Sequence, residues 1–92
     1  MFIGHLNLNI FIPASRSLKD RRQVIESLKQ RTRNTFNVAV AEKPGDEWQR
    51  CELSFVCVNH TKNYLSGLLD KIEEYVRLNG DINILEAESE IL

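Results

Sequence analysis

The sequence predicts a single α+β domain with the element order β-α-β-β-α-β, two helices covering one face of a four-stranded sheet. Three observations predict it. Residues 2–12 alternate apolar and polar side chains, as a strand with one buried face does. Residues 18–32 and 65–76 repeat apolar side chains at the helical period of about 3.6 residues. Shorter or alternating apolar runs lie near 38–40, across 48–60 and from 82 onward, where further strands are expected.

The elements follow in order. Phe2, Leu6, Leu8, Ile10 and Ile12 share one parity of the first strand, while His5, Asn7 and Asn9 share the other. Pro13 ends it, because proline has no N–H for the ladder. Ser17 is the expected cap of the first helix, with Asp20 at the capping-box position three residues on. Leu18, Val24, Ile25, Leu28 and Thr32 form its apolar stripe, and the helix is expected to fray before Asn37. Val38 and Val40 mark a short second strand. Pro44-Gly45 offers the residue types that a type II turn wants at its centre. A third strand is expected from about Trp48 to His60, with Cys51, Leu53, Phe55 and Cys57 on its inner side. Thr61 or Asn63 should start the second helix, which carries Leu65, Leu68, Leu69, Ile72 and Val76. Gly80 is its expected stop. Ile82 and Ile84 open a last strand, followed by Glu86, Glu88 and Glu90.

This order is that of the ferredoxin-like split βαβ sandwich. Right-handed crossovers put both helices on one face of an antiparallel sheet of strand order 4-1-3-2, and leave the other face open. At 92 residues, with no shift of composition along its length, the chain makes one domain, residues 1–92. Such a chain buries roughly 65% of its unfolded surface and folds without covalent staples.

Composition narrows the function. Twelve basic residues stand against 13 acidic ones for a net charge of −1, which argues against a general nucleic-acid coat protein but leaves room for a local basic patch. The Met1-Phe2-Ile3-Gly4-His5 start lacks a basic leader before an apolar run, and nothing approaches the ~18 apolar residues of a membrane span, so a cytoplasmic protein without membrane contact is expected. Cys51 and Cys57 lie six apart in one strand, roughly 20 Å at about 3.3 Å per residue. They can neither bridge each other nor share a metal ion, and are expected as buried, reduced thiols. No Walker loop, GxGxxG, GxSxG or HExxH is present, so no catalytic residue, cofactor or metal is expected. Acylphosphatases share the topology, and Arg16 stands at a suggestive place, but their glycine-containing phosphate loop is missing.

Three candidate surfaces remain. The topology brings PASRSLKDRR (13–22), VAVAE (38–42) and WQR (48–50) to one end of the sheet, so Arg16, Glu42, Trp48 and Arg50 are expected to converge there. The competing reading is structural: Arg21 falls within the apolar arc of Leu18, Ile25 and Leu28, where a cation needs a carboxylate, and Glu42 can supply it. Residues 16–33 hold seven basic and two acidic residues, a net +5, and Lys19, Arg22, Lys29 and Arg33 share one helical stripe with Glu26 in its middle. That stripe is either a solvated face or a surface for phosphates, hence an RNA or ribosomal particle as partner. The open sheet face should carry Ile3, His5, Asn7, Asn9 and Phe11 beside Trp48, Arg50, Glu52, Ser54, Val56 and Val58. Base stacking on Phe11 and Trp48 is one use for it, but the third-strand signature of RNA-recognition domains is absent. Burial of Ile3, His5, Phe11, Val56 and Val58 against a second copy is the other.

PASRSLKDRR, FNVAVAE (36–42) and WQRCEL (48–53), in this order and spacing, resemble the YlxP-like family of small bacterial proteins of unknown function. The resemblance covers essentially the whole chain. The family's SLKEKR-like segment stands here as Ser17-Leu18-Lys19-Asp20-Arg21-Arg22, which keeps its charge and its cap. The resemblance implies the same ferredoxin-like fold and brings no catalytic residue. Members lie near genes of translation initiation and ribosome-binding factors, which implies, by association, a role near RNA. The expectation is therefore a non-catalytic binding protein acting on RNA or the ribosome, or, alternatively, a homodimeric interaction module without nucleic acid.

Overall fold

A computed structural model describes all 92 residues. The chain forms β1 (Phe2–Phe11), α1 (Leu18–Thr35), β2 (Ala39–Glu42), β3 (Arg50–Asn59), α2 (Lys62–Arg77) and β4 (Asn83–Ile91). One antiparallel sheet runs β2-β3-β1-β4, the expected order. The fold is the ferredoxin-like α+β sandwich.

The long central pair sets the sheet. β1 and β3 stay in register from Phe2 opposite Asn59 to Phe11 opposite Arg50. Because partners across a ladder share a face, the even residues Leu6, Leu8 and Ile10 meet Phe55, Leu53 and Cys51 on the inner side, all of them buried. α1 adds Ile25 and Leu28 to this layer, and α2 adds Leu65, Leu69, Ile72 and Val76 at helical spacing. Thr32, buried in α1, returns its hydroxyl to the Leu28 carbonyl at 2.7 Å, so this hydroxyl is satisfied among the apolar side chains. The same rule fails at Asn79, whose buried side-chain amide nitrogen has no partner. No helix is long and apolar enough to cross a membrane.

The first helix begins as expected. Ser17 Oγ accepts the Asp20 N–H at 3.0 Å, and Asp20 answers by accepting the Arg16 N–H at 2.9 Å. Other boundaries differ from the sequence reading. α2 ends at Arg77 with Leu78 in right-handed helical geometry, and Gly80 has no positive φ, so it is not a left-handed stop. Gly45 has no positive φ either, so Pro44-Gly45 does not build a type II turn. β3 starts at Arg50, two residues later than expected, leaving Trp48 and Gln49 in the loop. β4 starts at Asn83, one residue after Ile82, and holds Glu86, Glu88 and Glu90. A single-residue bulge at Leu85 sets their parity: Ile10 faces Ile84 and Asn9 faces Glu86.

Gly4 allows the closest helix approach. A Cβ there would lie 2.9 Å from Leu65 Cγ, on the buried flank of α2. Gly4→Ala should therefore overpack the core and lower stability by ~1–3 kcal/mol, read from urea unfolding, while the exposed Gly80 tolerates the same change.

Candidate functional site at the upper end of the sheet

The buried arginine organises this end. Arg21 is only 5% exposed, and its guanidinium donates Nε and Nη2 to Glu42 Oε2 at 3.2 and 3.1 Å. It also donates Nη1 to the Glu47 carbonyl at 2.7 Å and Nη2 to the Lys43 carbonyl at 3.3 Å. One side chain of α1 thus holds both ends of the segment between β2 and β3. That tether replaces the turn Pro44-Gly45 would otherwise make. A second tether closes the other side, where Gln49 Nε2 donates to the Pro13 carbonyl at 3.0 Å and the Ile12 N–H donates to the Gln49 carbonyl at 2.7 Å.

Three distant stretches therefore do converge, but the candidate side chains do not form one pocket. Glu42 lies on the helix side of the sheet with Arg21, beside Arg22, Pro44 and Gly45. Trp48 and Arg50 open on the other side, where with Phe11, Asp46, Glu47 and Gln49 they line a shallow depression of about 360 Å³. Trp48 is 55% exposed, so it does not act as a cover for the core. Arg16 stands on the surface outside both depressions.

The basic stripe divides as well. Lys19, Arg22 and Arg33 are exposed, whereas Lys29 is largely covered and paired with Glu26 at 2.9 Å. Lys29 first, then Arg33 and Arg22, hold the Glu26 carboxyl below its ordinary value, which marks a positive field along this flank.

On the open face, Ile3, His5, Val56 and Val58 gather at the lower end of the sheet: Ile3 pairs with Val58 and His5 with Val56. Phe11 does not join them. It stands eight residues along β1, roughly 26 Å away, opposite Arg50. Between the two ends runs a polar bridge that single-sequence reading had no means to find, since it joins β1, β3 and the residue after β2. Ser54 Oγ donates to Asn7 Oδ1 at 3.0 Å, Asn7 Nδ2 donates to Glu52 Oε1 at 3.1 Å, and Lys43 Nζ reaches Glu52 Oε2 at 3.4 Å. Asn7 and then Lys43 hold the Glu52 carboxyl below its ordinary value.

The chemistry of the buried thiols follows from the same neighbours. Cys51 Sγ lies 3.4 Å from Glu42 Oε2, and burial together with that carboxylate pushes its thiol up to about 12. It stays protonated at neutral pH, unlike a nucleophilic cysteine. No set of three or more His, Cys, Asp or Glu side chains is grouped to hold a metal ion.

Two measurements test this site. Arg21→Met leaves Glu42 and two carbonyls without their donor and should cost ~3 kcal/mol in urea unfolding, with the β2–β3 segment gaining hydrogen exchange first. Cys51 gives a pH signature. The unfolded thiol loses its proton near its ordinary ~8.5, while the folded one keeps it, so stability is complete below that pH and falls above it by up to ~1.4 kcal/mol per pH unit. Urea midpoints at pH 8, 9 and 10 should decline, and Cys51→Ala should flatten the decline; Cys57, also raised by burial, accounts for the remainder.

None of the curated proteins matches the sequence. Among solved structures, the de novo designed protein Foldit4 superposes with a TM-score of 0.52 over 98% of this chain and 96% of its own, at 13% identity. That likeness concerns the fold alone. Residues 3–89 match the family described as a protein of unknown function, DUF503. With nearly the whole domain, both tethered loops included, inside that match, the chain belongs to the DUF503 family.

Proposed function

We propose that this is a non-catalytic binding protein that holds the phosphates of RNA, free or within ribosomal particles, on the exposed basic side of α1. The observation that carries the reading is a set of uncompensated cations. Arg16, Lys19, Arg22 and Arg33 have no carboxylate within ion-pairing distance, because the acids of the same segment are engaged elsewhere: Asp20 caps the helix and Glu26 holds Lys29. Free cations along one helix release counterions when they meet a phosphate chain, and that release drives sequence-independent binding. Trp48 and Arg50, on a separate depression at the same end, supply an aromatic plane and a further cation for register.

Within the family we read the chain as a YlxP-like member, on PASRSLKDRR, FNVAVAE and WQRCEL. The company those genes keep with translation factors supports the ribosomal part of the reading by association. Two free buried thiols fit a reducing, cytoplasmic setting.

Co-sedimentation with ribosomal particles across a salt series tests the proposal, alongside a Lys19/Arg22/Lys29/Arg33→Ala variant. Contact with about four single-stranded phosphates gives a slope of log affinity against log salt near −3, and the variant should lose most of it. Singly, Arg22→Ala should weaken binding more than Lys29→Ala, whose ammonium is already paired. A slope near zero, or equal binding by the variant, overturns the proposal.

A further inference from the structure

We propose that the open face of the sheet is the interface of a symmetric homodimer, packed face to face with its two-fold axis between the sheets and parallel to the strands. The proposal competes with phosphate binding only at the Trp48–Arg50 depression, because α1 covers the opposite side of the sheet.

The face has the layout of an interface. At its lower end Ile3 and Val56 are each 38% exposed and Val58 53%, on adjacent strands. Leu92, 65% exposed, extends this patch, since its backbone exchanges two hydrogen bonds of 2.8 Å with Ile3. Four apolar side chains side by side in water are a site to be covered rather than scattered surface residues. The polar middle is prepared for covering, because Asn7, Ser54, Glu52 and Lys43 already satisfy one another.

Charge selects both the occupant and the axis. Glu86, Glu88 and Glu90 line one margin of this face, paired across β1 with Asn9, Asn7 and His5. The opposite margin carries Ala39 and Ala41, then Lys43 just past β2. Two sheets packed roughly in alignment have two symmetric choices. An axis perpendicular to the strands lays β4 on β4 and sets the two glutamate rows against each other. An axis parallel to the strands lays β4 over the partner's β2 and β1 over its β3. Glu86 then meets Lys43 of the partner subunit, the other two glutamates lie over alanines, and Ile3 packs on the partner's Val58. Phe11 comes under the partner's Arg50, a cation against an aromatic face. A second copy thus matches apolar to apolar at the lower end and cation to carboxylate or ring at the upper end.

The area agrees with a reversible dimer. Three strands of nine or ten residues and the four-residue β2, at ~3.3 Å per residue and about 4.8 Å apart, make a face of roughly 520 Å². Two copies would bury about 1,000 Å², at the small end of specific interfaces.

Sedimentation equilibrium over a concentration series decides the matter. The wild type should show a monomer–dimer equilibrium. Val58→Asp, at a half-exposed position that leaves the monomer folded by circular dichroism, should raise the dissociation constant at least ~tenfold. Arg22→Glu, on the helix side, should leave it unchanged, and Glu86→Lys should weaken the dimer. A chain that stays monomeric throughout, or a dimer indifferent to Val58→Asp, overturns the proposal. A dimer tightened by Glu86→Lys overturns the axis, since only glutamate rows in contact would gain from the reversal.

Discussion

Arg21 stands where the helical pattern asks for an aliphatic side chain, and the upper end of the molecule is arranged around that one charge. A guanidinium at 5% exposure is tolerated only when its donors are used, and here three of its nitrogens bind a carboxylate and two carbonyls. Those partners come from the end of β2 and from both sides of the following segment. The demand of one buried cation thereby becomes a positional constraint on Glu42, on the Lys43–Glu47 run, and through Glu42 on the Cys51 thiol. Trp48 and Arg50 are presented to solvent because the backbone before them is held from inside.

What local pattern encodes was legible, and what tertiary contact imposes was not. β1, α1 and α2 could be read because periods of two and 3.6 residues place Leu6, Leu8 and Ile10, or Ile25 and Leu28, on one side and nowhere else. The strand order followed from connection rules applied to that element order. The Arg21–Glu42 pair was legible for a different reason: a cation in an apolar arc announces its need for an acid, and the topology left Glu42 within reach. The Pro44-Gly45 segment misled because its conformation is held from a helix more than 20 residues earlier, a contact no dipeptide records. Gly80 misled similarly, since the end of α2 closes through the Leu78 and Asn79 N–H groups without a left-handed residue. The convergence of the candidate site was visible in outline, but its division into a helix side and an open side needed the register of β2 and β3.

The fold also sorts charge. Residues 16–33 carry a net +5 on the helix layer, while the glutamates of β4 face the other way across the sheet. A protein with net charge −1 therefore has two electrically distinct sides, which a total alone conceals. The proposed phosphate contacts on α1 and the proposed dimer face therefore lie on opposite sides of the sheet, meeting only at the Trp48–Arg50 depression.

The Leu85 bulge has a consequence beyond setting parity. β4 is a nine-residue strand at the margin of the sheet, with its outer N–H and C=O groups unclaimed by any neighbouring strand. Such an edge is a template on which a further chain can grow, and long flat edges seed fibres. The extra residue breaks the flatness of the strand, and three carboxylates beyond it repel a like strand arriving alongside. Edge growth is thereby disfavoured by geometry and charge together, so the longest free edge of the sheet is also the one least able to recruit a copy of itself.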